Sequence, residues 1–285
     1  MDVLYKLRTQ QGDFSAGEGR IARLILDDVA WAAAASLDDL AERAEVSGAT
    51  LSRFARRVGC KDLRDLRLQL AQAGGVGARF LEEAEQPPSA FFGQIVADIE
   101  TTLRQHLAGF DEASFKAVAE CLASAEMIHA FGMGGASSLC ASELQVRLVR
   151  LGLPIAACHD PILMRVTAAT LGPRQALMLF SLSGHNPDLL PVARLARDYG
   201  VPVLAVTAPG SPLAALATLT LPLVQAETDF IFKPTAARYG MLLAVDLLAT
   251  ELALRAPARS REHLRRIKLA LDEHRGGGDR QPLGD

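Results

Sequence analysis

Between Val46 and Gly59 the chain places apolar side chains on one side of a short helix and small or basic ones on the other. Leu51, Phe54, Ala55 and Val58 recur at i, i+3, i+4 and i+7, the spacing of one buried stripe. Ala49, Thr50, Ser52, Arg53, Arg56 and Arg57 are left facing outward, behind Ser47 as the helix cap. Small residues at a helix start allow deep entry into a groove. Arginines further along offer two-pronged hydrogen bonds to guanine edges or phosphates. The chemistry implied is recognition of double-stranded DNA. A solvated helix surface is the bland alternative, and charge distribution weighs against it. Residues 43–67 hold seven basic and three acidic side chains, whereas residues 1–42 hold four basic and eight acidic. On a chain of net charge −3, a local positive patch of this kind is the footprint of a nucleic-acid-binding module.

A second group of residues suits an anion. Gly132-Met-Gly-Gly-Ala-Ser-Ser138 follows the apolar run MIHAF, and Ser181-Leu-Ser-Gly-His-Asn186 closes the run QALMLFS. Each stretch lies between a predicted strand and a predicted helix. Glycines let backbone N–H groups approach a ligand, and the helix that follows offers the positive end of its dipole. Such glycines also mark ordinary strand-to-helix turns. No Gly-Lys-Ser/Thr follows, so neither stretch is a P-loop. His185 is balanced between a charge near the anion and a plain exposed loop residue. For His129 and His159 a structural role is favoured.

The elements that must position these groups divide the chain. Residues 1–33 read as amphipathic helices, with Ser15 and Glu18 spaced as a capping box. Ser36 and Asp39 start another helix in the same way, and Gly59 stops the helix that carries the arginines. Paired glycines and then paired prolines punctuate residues 74–90, which reads as a linker. From Met127 onward five apolar runs (MIHAF, LPIAAC, QALMLFS, VPVLAVT, TLTLPLV) alternate with helical segments. That order predicts a parallel sheet with helices on both faces. A helix from Thr235 to Arg255 closes this unit, an amphipathic one spans about 259–274, and the remaining tail reads as disordered.

Composition agrees with two globular domains: 285 residues, 49% hydrophobic and 22% charged. The four cysteines show no metal-ligand spacing, which favours a reduced, cytoplasmic protein without a metal. The first residues lack a secretory pattern, and apolar runs break well short of the ~20 residues that span a bilayer.

The run VSGATLSRFARRVGCKDLRDLRLQL resembles the recognition region of the RpiR family of bacterial transcription regulators, with Val46, Ser47, Ala49, Thr50, Arg53, Phe54, Val58 and Gly59 matching. Gly48 and Cys60 depart from the commoner residues. Residues 115–255 are similar to the sugar isomerase (SIS) domain that binds phosphosugars, through FGMGGAS, FSLSG, VLAVTAPGSPLAALA, Glu227, Arg238 and Asp246. Ala136 stands where that family usually has serine, and Asn186 where it has threonine or serine. The resemblance implies an all-α helix-turn-helix domain over residues 1–73 and a linker over 74–90. It then implies a three-layer α/β SIS domain with a five-stranded parallel sheet over 91–257, and a C-terminal helix and tail over 258–285. It implies a DNA contact through Ser47, Ala49, Thr50, Ser52, Arg53, Arg56 and Arg57. It also implies a phosphosugar site at Gly134, Ser137, Ser138, Ser181, Ser183, Gly184, His185, Asn186 and Glu227, the last being alternatively a structural partner of Arg238. The expected partners are an inverted-repeat DNA operator, a phosphosugar effector and further copies of the chain in a homodimer or homotetramer. No cofactor, catalytic residue or membrane is expected. The alternative is a phosphosugar isomerase, with Glu227 and a histidine as acid and base.

Overall fold

The computed structural model describes residues 2–77, 91–224 and 235–276. They belong to two compact units, one formed by the N-terminal helices and one by the remainder.

The first unit is all helix. It comprises α1 (Val3–Thr9), a 3-10 turn at Gln11–Asp13, α2 (Ala16–Asp27), α3 (Val29–Ala34), α4 (Leu37–Arg43), α5 (Gly48–Arg57) and α6 (Leu63–Gly77). The two predicted capping boxes form. The Glu18 carboxylate accepts from the Ser15 N–H at 2.9 Å, and the Ser36 hydroxyl accepts from the Asp39 N–H at 3.1 Å. Leu51, Phe54, Ala55 and Val58 are buried among Leu7, Ile21, Ile25, Leu40, Leu66 and Leu70, so the stripe read from spacing is the core side of α5.

Basic side chains from distant positions close the helix ends of this unit. Lys6 Nζ donates to the Val58 carbonyl at 2.7 Å. Arg20 donates to the Ala44 and Glu45 carbonyls at 2.9 and 2.8 Å. Arg67 donates to the Ala33 and Ala34 carbonyls at 3.1 and 3.2 Å. Each satisfies acceptors that the last turn of a helix cannot satisfy internally. Glu45, in the turn between α4 and α5, has φ 51°, a left-handed conformation that usually falls to glycine. Helix α6 runs on to Gly77, four residues into the stretch read as linker. Glycine costs only about 1 kcal/mol in a helix interior, so punctuation alone does not end an element. Residues 78–90 of that stretch lie outside the described residues.

The second unit begins with α7 (Phe91–Gly109) and α8 (Glu112–Ser124). Then come β1 (Ile128–Gly132), α9 (Gly135–Arg150), β2 (Ile155–Cys158), α10 (Pro161–Ala168), β3 (Ala176–Ser181), α11 (Leu189–Asp198), β4 (Val203–Thr207), α12 (Pro212–Leu216) and β5 (Leu219–Pro222). Helices α13 (Ala237–Arg255) and α14 (Pro257–His274) follow. All strand pairs are parallel, in the order β2-β1-β3-β4-β5. Strand residues alternate between two cores. Ile128, Ala130, Met178, Phe180, Leu204 and Val206 pack with α8, α9 and α13. Phe131, Leu177, Leu179, Val203 and Ala205 pack with α10 and α11. With both faces covered, the strands read as nearly continuous apolar runs. Among the described residues no helix is long and apolar enough to cross a membrane. Most of the tail expected to be disordered (277–285) lies outside the described residues.

Candidate functional site

The α4–turn–α5 pair presents the first candidate surface. Ser47 caps α5 by accepting from the Thr50 N–H at 3.2 Å, and its hydroxyl meets that of Thr50 at 2.9 Å. Ala49, Arg53, Arg56 and Arg57 are exposed, while Thr50 and Ser52 are half-buried. Arg53 lies back along its own helix, donating to the Ala49 carbonyl and the Thr50 hydroxyl, both at 3.3 Å. Its guanidinium is thereby held toward the helix start, where a groove-reading helix needs it.

Arg57 has a different use from the one its position in the sequence suggested. It donates to the Glu18 carboxylate at 3.0 Å and to the Asp13 carbonyl, and it stands over the Phe14 ring. It lies outward of the stripe yet points along the protein surface, because α2 supplies a carboxylate within reach. Two further members of the basic run are engaged as well. Arg43 stacks on Trp31 at 4.3 Å, and Arg67 caps α3. Among the described residues Arg56 and Arg64 make no side-chain hydrogen bond or ion pair, while the Lys61 charge faces the Asp65 carboxylate. Lys61 and Arg64 line a surface cleft at the start of α6 together with Asp62, Asp65, Arg67 and Leu68. Sequence reading missed Lys61 and Arg64 as individual candidates, although they were counted in the basic patch.

The second candidate site lies at the carboxyl ends of the strands. From β1 the chain crosses to β2 on one side, and from β2 it returns past β1 to β3 on the other. The switch point is therefore between β1 and β3, where ligands of open α/β sheets bind. Gly132 pairs in register with Phe180, so the two glycine-containing loops leave the sheet at the same level.

In the first loop, Gly134 has φ 87° and precedes α9. A Cβ at Gly132 would lie 2.1 Å from the Ser137 carbonyl oxygen, so the first turn of α9 sits directly on the strand end. Ser137 is buried, and Ser138 Oγ donates to the Gly132 carbonyl at 3.0 Å. The backbone N–H groups of the first turn are the loop's main offering to an anion.

In the second loop, the buried Ser181 hydroxyl accepts from the Gly184 N–H at 3.1 Å and so braces the loop. Ser183 is exposed, with its Oγ accepting from the His185 N–H at 3.3 Å, and the His185 Nδ1 lies 2.8 Å from the Ser183 carbonyl. Asn186 Oδ1 accepts from the Asp188 and Leu189 N–H groups at 2.9 and 3.1 Å, so its side chain caps the turn that leads into α11, whose N-cap position is Asp188. Gly184 has φ 69°, and a Cβ there would meet Ser211 Oγ at 2.1 Å and Thr207 Oγ1 at 2.7 Å. Its carbonyl accepts from the Leu213 N–H at 3.2 Å. Only glycine fits between this loop and the β4–α12 turn. Thr207, fully buried and with no hydrogen-bond partner for its hydroxyl among the described residues, was missed in the sequence, where it reads as an ordinary strand end.

His159 borders the first loop, with Nδ1 3.3 Å from the Gly132 carbonyl and Nε2 2.9 Å from Ser142 Oγ. His129 sits on β1, where burial pushes its imidazole below the usual value. Glu227 lies outside the described residues. Arg238, its suggested structural partner, donates to the Tyr239 hydroxyl at 3.1 Å.

Residues 1–74 match the model of the helix-turn-helix domain of the rpiR family, and residues 121–251 match that of the SIS domain. The transcriptional regulator HexR of Pseudomonas aeruginosa is 32% identical over 273 residues, covering 95% of each chain. The chain belongs to the RpiR family of transcriptional regulators. HexR of Escherichia coli K12 is 29% identical over 278 residues, covering 96% of each chain. The structure of Vibrio vulnificus NanR complexed with ManNAc-6P matches with a TM-score of 0.60 and 26% identity, covering 94% of this chain and 98% of that one. This RpiR-family chain therefore joins a DNA-binding helix-turn-helix module to a SIS module.

Proposed function

We propose that this regulator binds an operator through α5 and that a phosphosugar held between the β1 and β3 loops sets its affinity. The observation that carries the effector half is the meeting of two glycine-containing loops at the β1/β3 switch point, one of them opening a 16-residue helix. The loops supply helix-terminal N–H groups and the exposed Ser183 hydroxyl. Donors of this kind suit a phosphate, with His185 and His159 at the margin. Ser181 and Asn186 act as braces of the second loop, so Ser183 is the side chain there best placed to touch ligand. The binding of ManNAc-6P by NanR supports a sugar phosphate as the class of ligand.

On the DNA side, Arg53 and the small residues Ser47, Ala49, Thr50 and Ser52 read bases. Arg56 meets phosphate, joined by Lys61 and Arg64. The operator is an inverted repeat, read by a homodimer or a dimer of dimers in the cytoplasm. Exposed Leu139, Val146 and Val149 on α9 and Ile162, Leu163 and Val166 on α10 support self-association. Isomerase activity is disfavoured because the relatives that match along the whole chain are transcriptional regulators. The test is a thermal-shift screen of sugar phosphates followed by gel shifts on a selected operator, since a ligand of the folded state raises its melting temperature. Turnover of any hit, or hits that leave DNA affinity unchanged, would overturn the reading.

A further inference from the structure

Helix α7 has an unusual attachment to its unit. Over 19 residues its fully buried side chains are polar, Thr102 and His106; Phe91, Ile95, Ile99 and Leu103 are half-buried beside them, while Phe92, Val96 and Leu107 stand exposed. An amphipathic helix is ordinarily held by an apolar stripe. Here the stripe is only half-buried, and its most deeply buried anchor is an imidazole. His106 Nε2 accepts from the Val224 N–H at 3.1 Å, which leaves Nδ1 to carry the proton and donate to the Thr102 carbonyl at 2.7 Å. The ring edge meets Phe110, and its face occupies the space over Gly240 of α13, where a Cβ would lie 2.3 Å from the imidazole.

The far side of this clamp leads to the loops. The residue before Val224, Leu223, donates its N–H to the Thr207 carbonyl at 2.8 Å. Thr207 in turn lies against Gly184 of the second loop, its buried hydroxyl without a partner among the described residues. A continuous run of contacts thus goes from Gly184 through Thr207, Leu223 and Val224 to His106. Along the chain, α7 is also the first described element after the helix-turn-helix unit.

We propose that His106 is the positioning residue that couples occupancy of the loop site to α7, and through α7 to the DNA-binding module. The inference rests on the effector reading above. A movement of the second loop displaces Thr207 and the strand end behind it. The Val224 N–H then loses its acceptor or tightens upon it, and α7 is released or held. A polar clamp suits such an element, since a hydrogen bond is made or broken by a shift far smaller than one that unpacks an apolar core.

The test uses the full chain, a selected operator, and glucose 6-phosphate, fructose 6-phosphate and ManNAc-6P as probes. For wild type, a saturating probe should change operator affinity by roughly tenfold or more. His106→Leu should bind that probe within about threefold of wild type, yet lose most of its effect on operator affinity. His106→Gln, whose amide can both accept from Val224 and donate to Thr102, should restore it. Gly240→Ala, which crowds the imidazole from the other side, gives an independent reading should His106→Leu fail to fold. A folded His106→Leu or Gly240→Ala variant that keeps the full probe effect overturns the inference and leaves the effector reading standing. So does a Gln variant no better than Leu. If no probe alters operator binding by wild type, the effector reading falls and the inference falls with it.

Discussion

The Arg57 guanidinium lies 3.0 Å from the Glu18 carboxylate, joining the last turn of the recognition helix to the first turn of α2. Glu18 already closes the capping box of α2 through Ser15. One carboxylate therefore serves both the start of α2 and the end of α5. The pair lies at the surface and adds to a placement of α5 that its buried stripe, Leu51, Phe54, Ala55 and Val58, already sets.

The arginines should separate by their salt dependence. Arg53→Ala should cost ~1–3 kcal/mol of operator affinity and relax base preference at one position. Arg56→Ala should lower the slope of log affinity against log salt by about one, as loss of one phosphate contact does. Arg57→Ala should leave that slope unchanged and lower the melting temperature slightly, since an exposed ion pair contributes about 0–1 kcal/mol. Gel shifts across a salt series check all three. A reduced slope for Arg57→Ala would put its guanidinium on phosphate.

Acidification should weaken the helical unit through its two capping boxes. Hydrogen bonds from the Ser15 side chain and backbone, with the Arg57 charge behind them, hold the Glu18 carboxyl below its usual value. Ser36 does the same for Asp39. A carboxyl depressed in the folded state stabilises above its unfolded pKa, and that contribution is lost as pH falls through the folded value. Urea melts at pH 7 and pH 3 should show a smaller loss on acidification for Glu18→Gln than for wild type.

Glu45→Gly should stabilise the helix-turn-helix by about 1 kcal/mol, since a side chain in the left-handed region costs about that much. Arg20 still holds the turn from the carbonyl side. Chemical denaturation measures the gain, and a loss would mean that the Glu45 side chain contributes more than its backbone costs.

The effector loop should divide into touching and bracing residues. Ser183→Ala should weaken phosphosugar binding roughly ten- to a hundredfold, the loss of one charge-assisted hydrogen bond at ~1.5–3 kcal/mol, with melting unchanged. Asn186→Ala should instead lower stability by about 1 kcal/mol, the usual cost of a lost side-chain cap. Calorimetry and melting on the same two variants separate the roles.

Much of this molecule is determined by local pattern. The stripe at Leu51, Phe54, Ala55 and Val58, the two capping boxes, the five apolar strands and the two glycine-containing loops depend on neighbours a few residues away, so spacing reveals them. Which polar groups are free to meet a ligand is decided elsewhere. Arg57 looks outward on a helical wheel, but its acceptor Glu18 is 39 positions earlier in the chain. Ser138 looks like a phosphate donor until its hydroxyl donates to the Gly132 carbonyl, whereas Ser181 and Asn186 accept from backbone N–H groups and keep their own O–H and NH2 donors. His106 gives no sign in the sequence, because its partner Val224 is 118 residues away. Long-range bonds such as Arg57 to Glu18 and Val224 to His106 engage groups that the sequence presents as available. Only the tertiary arrangement decides which remain for DNA and which for an anion.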